Sequence, residues 1–355
     1  MRVILKRMIA VPIHRVRVRK GLALAGAGAL AFTGCSSSTD SSAEREAPPT
    51  ESSSEPDVNI VATTTIWADI ASRSLCGLEI ASVIPAGADP HTFETSLADR
   101  ATLEQADLVV ANGLALEEGL VDLLATVADG GTPVIEMTEA VAIRDMGDDH
   151  DDEHHDEDDD HGDEHADDKD HSDDHDGDHD HDHSGGDPHI WLDPINVASA
   201  VTLITEAAID AGFDTSVRVC AQDFIDELEA LATEIADDLS AVPSDRRFLV
   251  TNHDALGYFA ARYGFEVVGT VIPSLSTLAE TNPAELADLA AIIEELDIPT
   301  VFSEEQASDR DAEALADALS GVAVVTLDTG SLRDGGDTYV AMMRRNARSI
   351  AAALD

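Results

Sequence analysis

Basic charge is what this chain has least of. Lys and Arg together number 21 against 72 Asp and Glu, a formal net charge of −51 over 355 residues, and lysine is very rare. Sequence-independent nucleic-acid binding needs a basic surface, so that class of function is excluded. The acidity fits a protein that attracts cations, or one from a salty habitat. Long apolar runs are missing too. The best of them, Leu22 to Thr33, is about a dozen residues and too short to span a bilayer as a stable helix. Cysteine is scarce, at three residues, Cys35, Cys76 and Cys220. Histidine is concentrated: outside the N-terminal segment and one acidic run, only His91, His189 and His253 remain.

The N-terminal segment reads as a targeting signal, residues 1–34. Arg2, Lys6, Arg7, Arg15, Arg17, Arg19 and Lys20 form a basic region ahead of the short apolar run. Phe32-Thr33-Gly34-Cys35, followed by three serines, resembles a bacterial lipobox, with Phe32 where leucine is usual. It implies a lipid on Cys35 that anchors the chain to the outer face of the cell membrane; the alternative is an ordinary secretory signal with a stray cysteine. Residues 35–57, rich in Ser, Thr, Glu and Pro, are expected to be a flexible tether.

From Val58 apolar periodicity takes over, and strand and helix alternate. Strands are expected at Val58–Ala62, Ile80–Ile84, Leu108–Ala111 and Val134–Ile135. Helices are expected at Ile66–Leu75, Ser96–Ala106 and Glu118–Ala128. The wholly apolar Leu108-Val109-Val110-Ala111 suits a parallel strand buried on both faces. Helices then follow at Val197–Asp210, stopped by Gly212, and at Val217–Leu239, ended before Pro243. Strand–helix alternation resumes from Arg247 and closes with a helix at Tyr339–Leu354. The expected fold is α/β: two doubly wound lobes joined by a long linking helix, with a site in the cleft between them. The boundaries are residues 58–215 for the first lobe, 216–241 for the linking helix and 242–355 for the second lobe.

Residues 148–186 interrupt the first lobe with a dense run of Asp, Glu and His. Such a segment cannot bury a core and is expected to be a solvated, disordered loop. Its histidine content goes beyond what solubility needs, which suggests a collector of metal ions. It ends in Asp187-Pro188-His189-Ile190-Trp191-Leu192-Asp193. His91 stands in a matching Asp89-Pro90-His91, just past a strand, and His253 follows the strand that ends at Thr251. Asp328 ends the strand Val322–Leu327. In open α/β sheets ligands bind outside the carboxyl ends of strands, so these four side chains are placed to meet in the cleft. Three imidazoles and one carboxylate would make a closed tetrahedral zinc site.

The order and span of several segments resemble the metal-specific solute-binding proteins of bacterial ABC transporters. They are Ala62-Thr63-Thr64-Thr65-Ile66-Trp67, Gly87-Ala88-Asp89-Pro90-His91-Thr92-Phe93-Glu94, Ala106-Asp107-Leu108-Val109-Val110-Ala111-Asn112-Gly113, the Asp187–Asp193 segment, His253-Asp254-Ala255-Leu256-Gly257-Tyr258-Phe259, and Gly336-Asp337-Thr338-Tyr339. The resemblance implies two lobes joined by a rigid helix and ligands at His91, His189, His253 and Asp328. It also implies Zn2+ as transported cargo, a membrane permease as partner, and a monomer that is not an enzyme. Thr329-Gly330 follows Asp328 where zinc-type members often have Pro-Leu-Gly, so water could replace that ligand. Manganese-type members tend to place glutamate at the third ligand position; His253 there favours zinc.

Two rival classes stay in view. One is a secreted zinc hydrolase, opposed by the lack of a His-Glu-x-x-His pair. The other is a cell-adhesion protein or a zinc buffer, whose metal binding would vanish with the acidic loop. With Cys35 lipidated, Cys76 and Cys220 are left either as a disulfide in an oxidising compartment or as two buried thiols.

Overall fold

Alternating apolar residues decide the architecture. In strand β1 (Ile60–Ala62) of the computed structural model, Ile60 and Ala62 face one apolar cluster and Val61 the opposite one, so both faces of the sheet are covered. The structure describes residues 58–144, 186–308 and 310–355, all within the compact unit Ser54–Asp355. Cys35 and nearly all of the acidic segment, whose last residue is Gly186, lie outside the described residues.

The first lobe runs β1, α1 (Thr65–Ser74), β2 (Ala81–Ser82), α2 (Leu97–Glu104), β3 (Leu108–Ala111), α3 (Val121–Asp129) and β4 (Val134–Glu136). Its strands are all parallel, in the order β2-β1-β3-β4. Helix α4 (Pro194–Asp210) and helix α5 (Val217–Leu239) then lead to the second lobe. That lobe comprises β5 (Phe248–Thr251), α6 (Gly257–Tyr263), β6 (Glu266–Thr270), α7 (Pro283–Glu295), β7 (Thr300–Glu304), α8 (Arg310–Ala318), β8 (Ala323–Leu327) and α9 (Tyr339–Leu354). Its parallel order, β6-β5-β7-β8, repeats that of the first sheet. Each sheet therefore reverses winding direction between its first and third strands, β1/β3 and β5/β7, the position where such folds open a crevice.

Local signals account for the ends of the helices. Ser96 caps α2 in a reciprocal capping box with Asp99, and Asp193 caps α4 ahead of Pro194, which needs no amide donor in the first turn. Asn282 does the same ahead of Pro283 in α7. Gly264 ends α6 at φ +71°, a conformation with no Cβ cost for glycine. One expected helix begins differently: Glu118–Leu120 forms a single 3-10 turn, and the α-helix starts only at Val121.

Helix α5 holds the halves together. Val217, Ala221, Phe224, Leu228, Leu231, Ile235 and Leu239 recur at three- and four-residue steps, one buried stripe along 23 residues. The stripe joins the same apolar cluster as Trp67 and Ile70 of α1, Val201 and Ile204 of α4, and Met343 and Ile350 of α9. At 1.5 Å per residue the helix is a rod of about 35 Å.

A disulfide between Cys76, just past α1, and Cys220, in α5, fastens that rod to the first lobe across 144 residues of chain. Closing so long a loop restricts the unfolded chain, and the folded chain gains by comparison. The double variant Cys76→Ser/Cys220→Ser should lose about 2–5 kcal/mol of unfolding free energy in urea titrations. Wild-type protein should show the same loss on adding reductant, and Cys76 and Cys220 should take up no thiol alkylating reagent before it.

Candidate metal centre

Three histidines meet between the lobes, and each arrives by a separate local device. Asp89-Pro90-His91 and Asp187-Pro188-His189 build the same turn twice. In each, the aspartate Oδ1 accepts the backbone N–H of the histidine two residues on, at 3.0 Å and 2.9 Å. His253 lies two residues beyond the end of β5, in a turn that Thr251 closes by donating its hydroxyl to the His253 carbonyl. All three rings are at most 3% exposed.

The rings converge through one nitrogen each. Nε2 of His189 lies 3.3 Å from Nε2 of His91 and 3.1 Å from Nε2 of His253. Each residue offers a ligand atom within 4.8 Å of the others. Three such nitrogens, with ring centroids 5.0–5.5 Å apart, can surround one small cation. The opposite nitrogens face carboxylates. Nδ1 of His189 meets Asp187 Oδ1 at 2.9 Å, Nδ1 of His253 meets Glu304 Oε1 at 2.5 Å, and Nδ1 of His91 lies 3.6 Å from Glu118 Oε1. A proton held on Nδ1 leaves Nε2 with its lone pair free, the tautomer a metal needs.

Burial sets the electrostatics. It lowers the His253 pKa by itself, but the Glu304 carboxylate more than offsets it, and the imidazole ends up raised. Burial pushes Glu304 up, and the His253 charge and hydrogen bond bring it below the ordinary range. Asp187 is pushed up to about 6 by burial, opposed by the His189 amide and the Arg144 guanidinium.

A second layer of side chains comes from both lobes. Asn112, just past β3, accepts from Trp67 Nε1 at 2.9 Å and donates to the Pro188 carbonyl at 2.9 Å, which fixes the second Asp-Pro-His turn. Trp191 donates its indole N–H to the Thr329 carbonyl at 2.7 Å, and Tyr339 donates to the Trp191 carbonyl at 2.7 Å. The hydroxyl of Tyr258 accepts from the Arg144 amide at 3.0 Å and donates to the Asp187 carbonyl at 3.1 Å. Arg144 and Asp187 are thereby pinned where the acidic segment leaves and rejoins the lobe.

Asp328 is the exception among the expected ligands. Its carboxylate is outside the histidine group; Arg333 Nε binds Oδ1 at 2.8 Å and Arg345 Nε binds Oδ2 at 2.6 Å. Both carboxylate oxygens are thus held by guanidinium groups in charge-assisted hydrogen bonds. Glu304, Glu118 and Arg144 were not singled out by sequence reasoning. Only Glu304 carries a signal there, as a carboxylate at the carboxyl end of a strand, where ligands gather in such folds.

Gly257 offers a way to disturb the second layer alone. A Cβ there would stand 1.6 Å from Arg144 Nη1 and 2.7 Å from Asp187 Oδ2. Gly257→Ala should drive the guanidinium off Asp187 and loosen His189, and Glu304→Gln should loosen His253. Each should weaken metal binding about 10–100-fold in competition with a chromophoric chelator, the range for disturbed outer partners of metal-bound histidines.

Comparison with known proteins shows the family. The family described as "ZnuA: Zinc-uptake complex component A periplasmic" matches residues 60–353. The chain is 27% identical to the zinc-binding protein TroA of Treponema pallidum over 278 residues, 76% of this chain and 79% of the relative. It is 26% identical to the manganese-binding lipoprotein MntA of Halalkalibacterium halodurans, over 77% of this chain and 80% of the relative. The solved structure of the Treponema pallidum protein superposes with a TM-score of 0.69 at 26% identity, covering 84% of this chain and 99% of that one. The chain belongs to the ZnuA family of periplasmic metal-binding proteins, the substrate-binding components of metal ABC transporters rather than enzymes.

Proposed function

We propose that this protein captures Zn2+ outside the cytoplasm and delivers it to the permease of an ABC transporter. The convergence of three buried Nε2 atoms carries the reading. Neutral imidazoles are borderline donors that suit zinc in a tetrahedral site, with water in the fourth position. Manganese, a harder cation, gains more from carboxylate oxygen, and the carboxylates of Asp187, Glu304 and Asp328 are bonded to histidine Nδ1 atoms or to arginines. Manganese is the second reading, since one of the similar proteins is named for it and another for zinc. A lipid on Cys35 would keep the protein beside the permease, and the protein would act as a monomer.

Residues 148–186 supply weak further sites under this reading. Histidine binds zinc only when neutral, and neighbouring carboxylates favour the protonated form, so the run would collect zinc loosely and in a pH-sensitive way. Its negative charge would raise the local cation concentration, an effect that salt screens.

Metal content and competition titrations of the exported protein, with and without residues 148–186, test both ideas. The shortened protein should keep one tight zinc site, lose the weak ones and take up zinc more slowly at low ionic strength. His253→Ala should lose zinc affinity by orders of magnitude. A tight site that prefers manganese, or one indifferent to His253→Ala, overturns the zinc reading.

A further inference from the structure

Two acids of the first lobe stand behind His91, and both are gripped from the second lobe. Asp89 uses both of its carboxylate oxygens. Its Oδ1 accepts the His91 backbone N–H at 3.0 Å, and its Oδ2 accepts the Thr277 hydroxyl at 2.6 Å. Glu118 Oε1, which lies 3.6 Å from His91 Nδ1, accepts the Ser276 hydroxyl at 2.5 Å. Both donors belong to one loop, residues 271–282, between β6 and α7. A hydroxyl bonded to a carboxylate is shorter and stronger than one bonded to a neutral acceptor.

The root of that loop lies at another of the histidines. Ile272 donates its backbone N–H to the Asn252 carbonyl at 2.7 Å, and the Ser274 carbonyl accepts the Asp254 N–H at 2.9 Å. The loop is therefore bonded to the residues on both sides of His253. Its bend is fixed from within: Ser274 Oγ accepts the Ser276 N–H at 3.0 Å, and Ser276 Oγ accepts the Leu278 N–H at 3.1 Å. Those two bonds leave the Ser276 hydroxyl proton for Glu118, and Leu275, which is buried, seats the loop. One run of hydrogen bonds thus leads from the turn of His253, through Ser274, Ser276 and Thr277, to the acids that back His91.

We infer that Ser276 and Thr277 are positioning residues that strap the second lobe to the first and slow release of the bound cation. The inference rests on reading the three histidines as the metal site, and it holds for either cation. Neither residue belongs to the histidine group; each acts through an acid beside His91. Any widening of the cleft that parts His91 from His253 has to break both hydroxyl bonds. It also strips Asp89 and Glu118 of the partners that hold them where they orient the His91 ring. Capture is different, because an ion enters while the lobes are apart, before either bond has formed. The strap therefore acts on departure, the step in which most affinity differences reside.

Stopped-flow release of zinc from the full exported chain into excess chromophoric chelator is the test, with capture rates measured on the metal-free protein. Thr277→Val keeps the shape of the side chain and removes its hydroxyl, whereas Thr277→Ser keeps the hydroxyl and removes a methyl group. Thr277→Val and Ser276→Ala should each speed release about tenfold, at the lower end of the range for disturbed outer partners of metal-bound histidines, and leave capture unchanged. Thr277→Ser should release zinc as slowly as the wild type. Wild-type release rates in Thr277→Val overturn the inference. So does equally fast release from Thr277→Ser, which would assign the effect to packing, or a capture rate that falls while release stays the same. If Ser276→Ala does not fold, the two Thr277 variants carry the test, since that residue is only half-buried. A wild-type chain that holds manganese in place of zinc defeats the zinc reading alone, and manganese release from the same variants then decides the strap.

Discussion

Everything in this molecule bends around three buried imidazole nitrogens, two of which lie 3.3 Å and 3.1 Å from the third. Bare nitrogens that close are unfavourable to assemble unless something is placed between them or something behind them fixes their protons. The carboxylates of Asp187 and Glu304 do the second task directly, and that of Glu118 stands behind His91. The cost of burying those carboxylates is visible in Asp187, which burial pushes up to about 6 even against the His189 amide and the Arg144 guanidinium. A cation at the centre would settle the arrangement from the front. The geometry is preorganised for a guest of charge +2 and of small radius.

The fold supplies that geometry by doubling one plan. Both sheets are parallel and share one strand order, so both present strand ends toward the interlobe region. His91 follows β2, Asn112 follows β3, His253 follows β5, Glu304 ends β7 and Asp328 follows β8. Neither lobe holds a complete set: His91 and His189 come from the first, His253 from the second. Cross-lobe bonds accompany them, including Thr277 to Asp89 at 2.6 Å and Arg262 to Asp193 at 2.6 Å. Helix α5 and its disulfide fix the span over which the halves can work.

Much of this was legible in the chain. Strand–helix alternation placed both lobes, because a parallel strand buried on two faces must read as an unbroken apolar run. The three histidines stood out because others in the folded region are absent and because two share an Asp-Pro-His turn, whose hydrogen bonding is local and so is written locally. The partners behind the rings were less legible. Glu304 meets His253 across 51 residues, and Arg144 meets Asp187 across the acidic segment; no periodicity announces such pairs. The partners of Asp328 were illegible for the same reason. A strand-end position fixes where its backbone goes, while two arginines that arrive from outside the strand fix where its carboxylate goes.

The excess of acid over base gives those placements their meaning. A surface of strong negative charge draws cations toward the protein, but the same carboxylates near the site would compete with imidazole for the captured ion. Several guanidinium groups bind acids close to the centre or on the linking helix. Arg144 lies by Asp187, Arg262 holds Asp193, Arg333 and Arg345 hold Asp328, and Arg344 and Arg348 hold Glu234. Near the centre, the carboxylates of Asp187 and Glu304 bond to imidazole nitrogens and that of Asp328 bonds to guanidinium groups, so the acids there are matched one by one while the chain as a whole stays strongly negative.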